Sequence, residues 1–202
     1  KQKTAYERSL GLVGSEMCIR DRNYTPSYNK LVVNFDLGEV KSKEVIEFIK
    51  SNDYSKIDLS ENNRLVEIPI CYDEEFALDI KRLEKKTKLS FNEIVQEHLN
   101  TEFFVYMIGF IPGHPFMGDL EKRLHTDRLE TPRVKLPKGS VGIVEKFCNV
   151  YTFESPGGWN IIGKTPLYLF DINKKDASIL SPGDTVKFKS ITKKDLSSFK
   201  HE

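Results

Sequence analysis

The chain has 202 residues, with 31 Lys and Arg against 30 Asp and Glu, so its formal net charge is +1. This balance excludes a global field of the kind that recruits nucleic acid or anionic lipid. No run approaches the roughly 18 apolar residues of a membrane helix, and no charged-then-apolar export signal opens the chain. We therefore expect a cytoplasmic protein with neither a nucleic-acid nor a membrane partner.

The N-terminal segment 9–22 resembles a peptide translated from sequencing-adapter DNA. We expect residues 1–22 to be non-native, with the true N-terminus missing and Cys18 absent from the native protein. The alternative is a genuine divergent N-terminus, which sequencing the native transcript would decide. Cys71 and Cys148 lack metal-site spacing, so we expect neither a disulfide nor a metal site.

Residues 23–97 show the periodicities of a small α+β domain that is incomplete at its N-terminus. Strands are predicted at 28–36 and 64–72 and helices at 40–50, 76–87 and 90–99. Pro69 within the second strand indicates an edge position or a bulge. Ser90 and Glu93 form a capping-box pattern. The last two helices resemble a helix-turn-helix, but the exposed acidic residues of the second would repel phosphate.

The composition changes in the second half of the chain. Nine of the twelve glycines and seven of the nine prolines lie at or after Gly109. Many short apolar runs separated by such turns predict a closed or sandwich β-structure. We place the domain boundary near residue 97, a β domain at 98–192 and a flexible tail at 193–202. Strands are predicted at 103–108, 133–136, 141–147, 150–153, 159–162, 168–170 and 185–191.

Four linked motifs occupy the turns of this second half. They are GFIPGHPFMG at 109–118, TPR at 131–133, PKGSVG at 137–142 and SPGGWNIIGKTP at 155–166. Their order and spacing resemble the allophanate hydrolase subunit 1 family, which includes the B subunit of 5-oxoprolinase and the Kip inhibitor of a histidine kinase. His114 replaces an aromatic residue that is usual in the family's first motif. The resemblance covers residues 28 to 190.

The resemblance implies a cyclophilin-like β-barrel after the α+β domain. It also implies the B subunit of a 5-oxoprolinase that opens 5-oxo-L-proline to L-glutamate with ATP and Mg²⁺ bound by the complex. The phosphate-loop patterns are lacking, so we expect the chain to act only together with the C and A subunits of such an enzyme. Two alternatives stay open: a non-catalytic inhibitor of a sensor histidine kinase, and an accessory subunit of urea carboxylase or allophanate hydrolase.

The candidate catalytic residues combine resemblance with side-chain chemistry. His98 matches a family histidine and is a candidate acid or base, although a histidine at a helix end is equally well explained by the helix dipole. Arg123 and Arg133 match family positions, and guanidinium groups suit carboxylate or phosphate oxygens.

The candidate substrate-binding residues lie in and around the four motifs. Glycine allows close backbone approach and proline restricts the backbone, so the first motif could form an anion hole, although both also occur in simple barrel corners. Ser140 lacks a nucleophile elbow and is read as a turn or ligand hydroxyl. Trp159 either walls a pocket or fills the barrel, and core packing is the favoured role. The set comprises Pro112, Gly113, His114, Arg128, Ser140, Gly157, Gly158 and Trp159.

Overall fold

The computed structural model describes residues 21–51 and 64–199. Most of the segment predicted to be non-native, including Cys18, lies outside these residues. The chain divides into two compact units, residues 1–63 and residues 64–202.

The first unit contains a hairpin and a helix. Strand β1 (Asp21–Pro26) pairs antiparallel with β2 (Leu31–Phe35), and α1 (Ser42–Ser51) follows. The structure confirms the strand and helix predicted at 28–36 and 40–50. An α+β domain over residues 23–97 is not confirmed, because the second unit already begins at Arg64.

The second unit is built around a seven-stranded sheet. The strands are β3 (Leu65–Ile70), β4 (Glu102–Ile108), β5 (Pro115–Gly118), β7 (Ser140–Val144), β8 (Phe147–Val150), β10 (Asn160–Lys164) and β11 (Thr185–Ser190). Their spatial order in the sheet is β10-β7-β8-β5-β4-β11-β3. Two further strands, β6 (Arg133–Leu136) and β9 (Ser155–Gly157), form a separate antiparallel pair.

The sheet curls until its two edge strands meet. Beyond β3, Cys71 exchanges two backbone hydrogen bonds with Lys164 at the end of β10, at 2.8 and 2.9 Å. Gly163 permits this approach, because a Cβ there would lie 2.7 Å from the Cys71 carbonyl oxygen. The position predicted for Pro69 is confirmed, since β3 is an edge strand that pairs in parallel with β11.

Two helices complete the second unit. Helix α2 (Ile80–Thr87) buries Ile80 and Leu83, and α3 (Phe91–Asn100) packs against β11. The predicted capping box is confirmed, with the Ser90 hydroxyl accepting from the Glu93 amide and the Glu93 carboxylate accepting from the Ser90 amide. The boundary predicted near residue 97 falls inside α3. The segments before and after it share one apolar core.

Three local predictions differ from the structure. No strand forms at 168–170, where a single β-bridge joins Phe170 to Ser178. The hairpin of β7 and β8 turns at residues 145–146, earlier than predicted, because Glu145 adopts a positive φ of 48° there. A short helix, α4 (Lys193–Ser198), occupies the segment predicted to be a flexible tail. Its N-terminus is capped reciprocally by Thr192 and Asp195.

None of the described helices is both long and apolar enough to cross a bilayer.

Candidate functional site

The glycine turn of the SPGGW motif brings backbone and an aromatic hydroxyl unusually close together. Gly157 pairs with Arg133 across the β6–β9 ribbon. A Cβ at Gly157 would lie 2.2 Å from the Tyr151 hydroxyl oxygen and 2.8 Å from Leu136 Cδ1. Only glycine fits this position, so the motif keeps the Tyr151 hydroxyl against the turn.

Arg133 is held in one orientation by a buried carboxylate. Its two terminal nitrogens donate to the two carboxylate oxygens of Asp79 at 2.9 and 2.8 Å. Asp79 is 5% exposed, and it also accepts from the backbone amide of Ile161 at 2.7 Å. The Arg133 side chain remains 31% exposed. The carboxylate offsets the charge of the guanidinium and fixes its orientation, so the N–H groups that Asp79 does not use are held at the edge of the turn.

Arg128 lies beside the same turn, on a loop that hydrogen bonds hold in place. The Leu129 amide donates to the Gly158 carbonyl at 2.8 Å, and Arg128 Nη2 is 3.6 Å from the position of a Cβ on Gly158. Arg82 donates to the Arg128 carbonyl at 3.3 Å and to the Asn160 side chain at 2.6 Å. These contacts place two guanidinium groups, those of Arg128 and Arg133, around one glycine turn.

The electrostatic environment of Tyr151 reflects this arrangement. Burial raises the pKa of the Tyr151 hydroxyl, while the neighbouring Asn149 side chain and the positive charges of Arg128 and Arg133 oppose the increase. The hydroxyl stays neutral and can donate a hydrogen bond in this cationic setting.

His114 lies buried next to Tyr151 in a group of aromatic rings. Its ring centroid is 5.3 Å from that of Tyr151 and 5.1 Å from that of Phe116, which in turn stands 6.0 Å from Trp159. Its Nε2 atom is 3.1 Å from Nδ2 of Asn149. Burial lowers the pKa of His114 to about 4, so the ring is neutral at physiological pH.

Trp159 is half-buried and packs with Leu136, Tyr151 and Ile161. It both fills a small apolar cluster and borders the glycine turn. The two roles that the sequence left open are therefore compatible.

His98, the predicted acid or base, lies in the sheet interior and not at this turn. It is fully buried, with Nδ1 2.7 Å from the Tyr72 hydroxyl oxygen and Nε2 3.5 Å from the Cys148 sulfur. Burial lowers its pKa to about 3. Its ring packs against Phe103 and Phe188. A catalytic role for His98 stays a prediction that this geometry does not favour.

Arg123, the other predicted catalytic arginine, lies on a short 3₁₀ turn next to the exposed side of α3. It forms a short hydrogen bond to the Glu97 carboxylate and a longer ion pair of 4.0 Å with Glu93. The structure does not group it with the glycine turn. Exposed pairs of this type contribute little to stability.

The remaining predicted residues act mainly as turn formers here. The Ser140 hydroxyl donates to the Pro137 carbonyl at 2.7 Å, and the Pro112 carbonyl accepts from the Thr152 hydroxyl at 2.8 Å. Gly113, with a φ of 69°, approaches Phe170, where an added Cβ would lie 2.5 Å from the phenylalanine Cβ. The close approach that the glycine allows is thus to a side chain of the same protein, not to an open anion hole.

Sequence reasoning missed four residues that organise this site: Asp79, Asn149, Tyr151 and Asn160. Each contacts a partner that lies more than thirty residues away in the sequence, so no local spacing identifies it. Tyr151 offered one signal, its place four residues before the SPGGW motif. Among the described residues no cluster of three or more His, Cys, Asp or Glu side chains could hold a metal.

Comparison with known proteins identifies the family. The model of the carboxyltransferase domain, subdomains C and D, matches residues 15–180. The 5-oxoprolinase B subunit of Bacillus subtilis is 39% identical over 188 residues, which cover 88% of this chain and 78% of that protein. The chain belongs to the 5-oxoprolinase B-subunit family.

Other family members give the same result. The 5-oxoprolinase B subunit of Haemophilus influenzae is 44% identical over 125 residues, covering 62% of this chain and 59% of that protein. The corresponding protein of Escherichia coli O157:H7 is 35% identical, covering 81% of this chain and 75% of its own length.

Solved structures share the fold. A conserved uncharacterised protein from Pyrococcus horikoshii is 35% identical with a TM-score of 0.64, covering 95% of this chain and 88% of that one. The protein TTHA0988 is 26% identical with a TM-score of 0.78, covering 93% of this chain. This chain spans about a third of that structure, 36% of its length. The urea carboxylase of Kluyveromyces lactis, at 17% identity and a TM-score of 0.75, shares the fold alone; 98% of this chain and 21% of that one are covered.

Proposed function

We propose that this chain is the B subunit of an ATP-dependent 5-oxoprolinase complex that opens 5-oxo-L-proline to L-glutamate. The observation that carries the proposal is the 39% identity over 78% of a Bacillus subtilis protein of that name. The geometry agrees with it, because the region that carries the resemblance brings Arg128 and Arg133 to one turn.

The reaction has two requirements that these arginines suit. The substrate carries a carboxylate, and negative charge develops on the lactam oxygen when the carbonyl carbon is attacked. Preorganised cations stabilise such charge without reorganising during the reaction. Arg133 is preorganised by Asp79, and Arg128 is exposed next to it. We assign one guanidinium group to the substrate carboxylate and the other to the developing oxyanion.

ATP and Mg²⁺ belong to the complex and not to this chain alone. The glycine-rich motif at 109–118 has neither phosphate-loop pattern. The glycine-rich loop at 109–114 is packed against Phe170, and no metal-binding cluster occurs among residues 21–51 and 64–199. We therefore include the C and A subunits in the proposal and expect the purified chain to be inactive alone. The proposal also includes a cytoplasmic location and a cyclophilin-like barrel for the curled sheet.

The test compares two arginines in the reconstituted complex. Arg133→Ala removes the cation held at the turn and is expected to lower kcat/KM for 5-oxoproline by at least about 100-fold, as for the loss of one oriented charge-stabilising group. Arg64→Ala is the matched control, because it also removes an arginine that donates twice to a buried aspartate, Asp184, and Arg64 is not a candidate site residue. It should leave kcat/KM within about threefold, since the Arg64 side chain is exposed and pairs of this kind contribute little. Equal losses in the two variants would contradict the assignment of Arg133.

A further inference from the structure

The buried pair His114 and Asn149 leaves two polar atoms without a partner. Nδ1 of His114 and Oδ1 of Asn149 are shielded from solvent and have no hydrogen bond in the described part of the chain. Both residues are 1% exposed. An unpartnered buried polar atom costs free energy unless water or a ligand satisfies it, so native structures keep few of them.

The hydrogen bond between the two side chains determines what the free atoms offer. Asn149 Nδ2 is a donor, so His114 Nε2, 3.1 Å away, accepts and the neutral ring carries its proton on Nδ1. The free atoms are then one N–H donor and one carbonyl acceptor. Exchanging the amide ends of Asn149 together with the histidine tautomer reverses the roles but still leaves one donor and one acceptor.

We propose that His114 and Asn149 form a recognition site for the planar secondary amide of a small lactam ring. Such an amide presents one carbonyl acceptor and one N–H donor, which match the two free atoms in hydrogen-bonding type. The identification of the lactam as 5-oxoproline rests on the proposed function. The match to a secondary amide rests on the free donor and the free acceptor of His114 and Asn149.

The surroundings suit a flat ring that carries a carboxylate. The rings of Phe110, Phe116 and Tyr151 stand 5.7, 5.1 and 5.3 Å from the His114 ring. Arg128 and Arg133 are close enough to Tyr151 to act on its hydroxyl electrostatically. Aromatic walls with a few placed polar groups are typical of small-molecule sites.

Phe110 is a solvent-exposed neighbour of the His114 ring. Phe110 is 71% exposed and its backbone has a φ of 74°, a conformation that a bulky residue rarely adopts. The free atoms are covered in the present conformation, so ligand entry requires Phe110 and its loop to move. Strained backbone of this kind is frequent at ligand-binding loops.

His114 also distinguishes this chain from the family pattern, in which an aromatic residue stands at that place. His114→Phe therefore restores a residue the fold accepts and removes only the polar edge. Asn149→Leu removes the other polar group and keeps the branched shape of the side chain. His125→Phe, at an exposed histidine outside this pair, is the matched control.

The experiment measures binding of 5-oxoproline and of its N-methyl derivative to the full chain assembled with its partner subunits, by calorimetry without ATP. The wild type should bind 5-oxoproline at least about tenfold more tightly than the N-methyl derivative. This ratio corresponds to the net free energy of one hydrogen bond. The preference reports the hydrogen bond from the lactam N–H to Asn149 Oδ1, so Asn149→Leu should reduce it below about threefold. His114→Phe removes the donor to the lactam carbonyl and should weaken the binding of both ligands by about tenfold. His125→Phe should change neither the preference nor the affinity. Melting temperatures verify that each variant is folded.

Three results would overturn the inference: an unchanged preference in Asn149→Leu, an unchanged affinity in His114→Phe, or no binding of either ligand to the wild type. The first means that Asn149 does not accept from the ligand, and the second that His114 does not donate to it. Glutamate release by the wild-type complex with an unchanged preference would refute this site but leave the proposed function intact. Variant-sensitive binding of 5-oxoproline without glutamate release would refute the proposed function and leave the lactam site.

Discussion

Replacing Asp79 with alanine removes three hydrogen bonds at once. Its carboxylate accepts two from Arg133 and one from the amide of Ile161. The Ile161 amide is buried, so its loss of a partner costs about 1–3 kcal/mol. Breaking a fully buried ion pair costs about 3–5 kcal/mol, which we reduce to about 1–2 kcal/mol because the Arg133 side chain is 31% exposed. The expected loss of stability is about 3 kcal/mol.

Urea unfolding followed by tryptophan fluorescence measures this loss, because Trp159 is the single tryptophan of the sequence and lies beside the affected turn. For a unit of this size we expect the melting temperature to fall by about 10 °C. The double variant Asp79→Ala/Arg133→Ala should be less destabilised than the sum of the two single variants, by at least about 1 kcal/mol. Asp127→Ala, which breaks an exposed pair with Arg82 and Lys86, is the control and should show only a minor change.

A loss below about 1 kcal/mol in Asp79→Ala, or strict additivity with Arg133→Ala, would refute the reasoning. In that case Arg133 would not be preorganised by the carboxylate, and its assignment as an oriented cation would lose its structural basis.

Two further predictions concern the turn and the buried histidines. Gly157→Ala should destabilise the protein by about 1–3 kcal/mol, because its Cβ would lie 2.2 Å from the Tyr151 hydroxyl oxygen. Gly158→Ala should be tolerated, because the nearest atom to its Cβ would lie 3.4 Å away. Equal urea midpoints for the two variants would contradict this prediction. Burial lowers the pKa of His98 to about 3 and that of His114 to about 4, so between about pH 6.5 and pH 4 the unfolded state binds more protons. Stability should fall as pH falls through this window, by up to about 1.4 kcal/mol per pH unit for each histidine, and His114→Phe should flatten the profile. A profile that is equally steep in that variant would show that His114 does not contribute.

Local signals predicted much of the fold. Turn residues, apolar periodicity and the capping box at Ser90 and Glu93 located most strands and helices of the second unit. What they could not predict was pairing between distant segments. The parallel pairing of β3 with β11 joins residues about 120 positions apart, and the contact between Cys71 and Lys164 brings the sheet edges together. Neither pairing has a signature in local sequence.

The candidate site was predicted in part for the same reason. The predicted residues Arg128, Arg133, Gly157, Gly158 and Trp159 meet at one turn, as their shared family pattern suggests. Asp79 lies 54 residues before its partner Arg133, so its orienting role follows only from coordinates.

The position of His98 shows a second limit of sequence reasoning: a predicted site residue can be buried away from the site. A histidine near a helix end looks available for acid–base chemistry. The side chain points into the core, where its Nδ1 contacts the Tyr72 hydroxyl and its Nε2 contacts the Cys148 sulfur. Burial was the deciding property, and the type and position of the residue did not reveal it.

The central claim is that this chain supplies an essential part of a 5-oxoprolinase. The most direct measurement is ATP-dependent release of glutamate from 5-oxoproline by the co-purified complex, with each subunit omitted in turn. We predict that activity disappears when this chain is left out and that the chain alone has none. Full activity of the remaining subunits without this chain would contradict the account, and activity of the purified chain alone would contradict its dependence on partners.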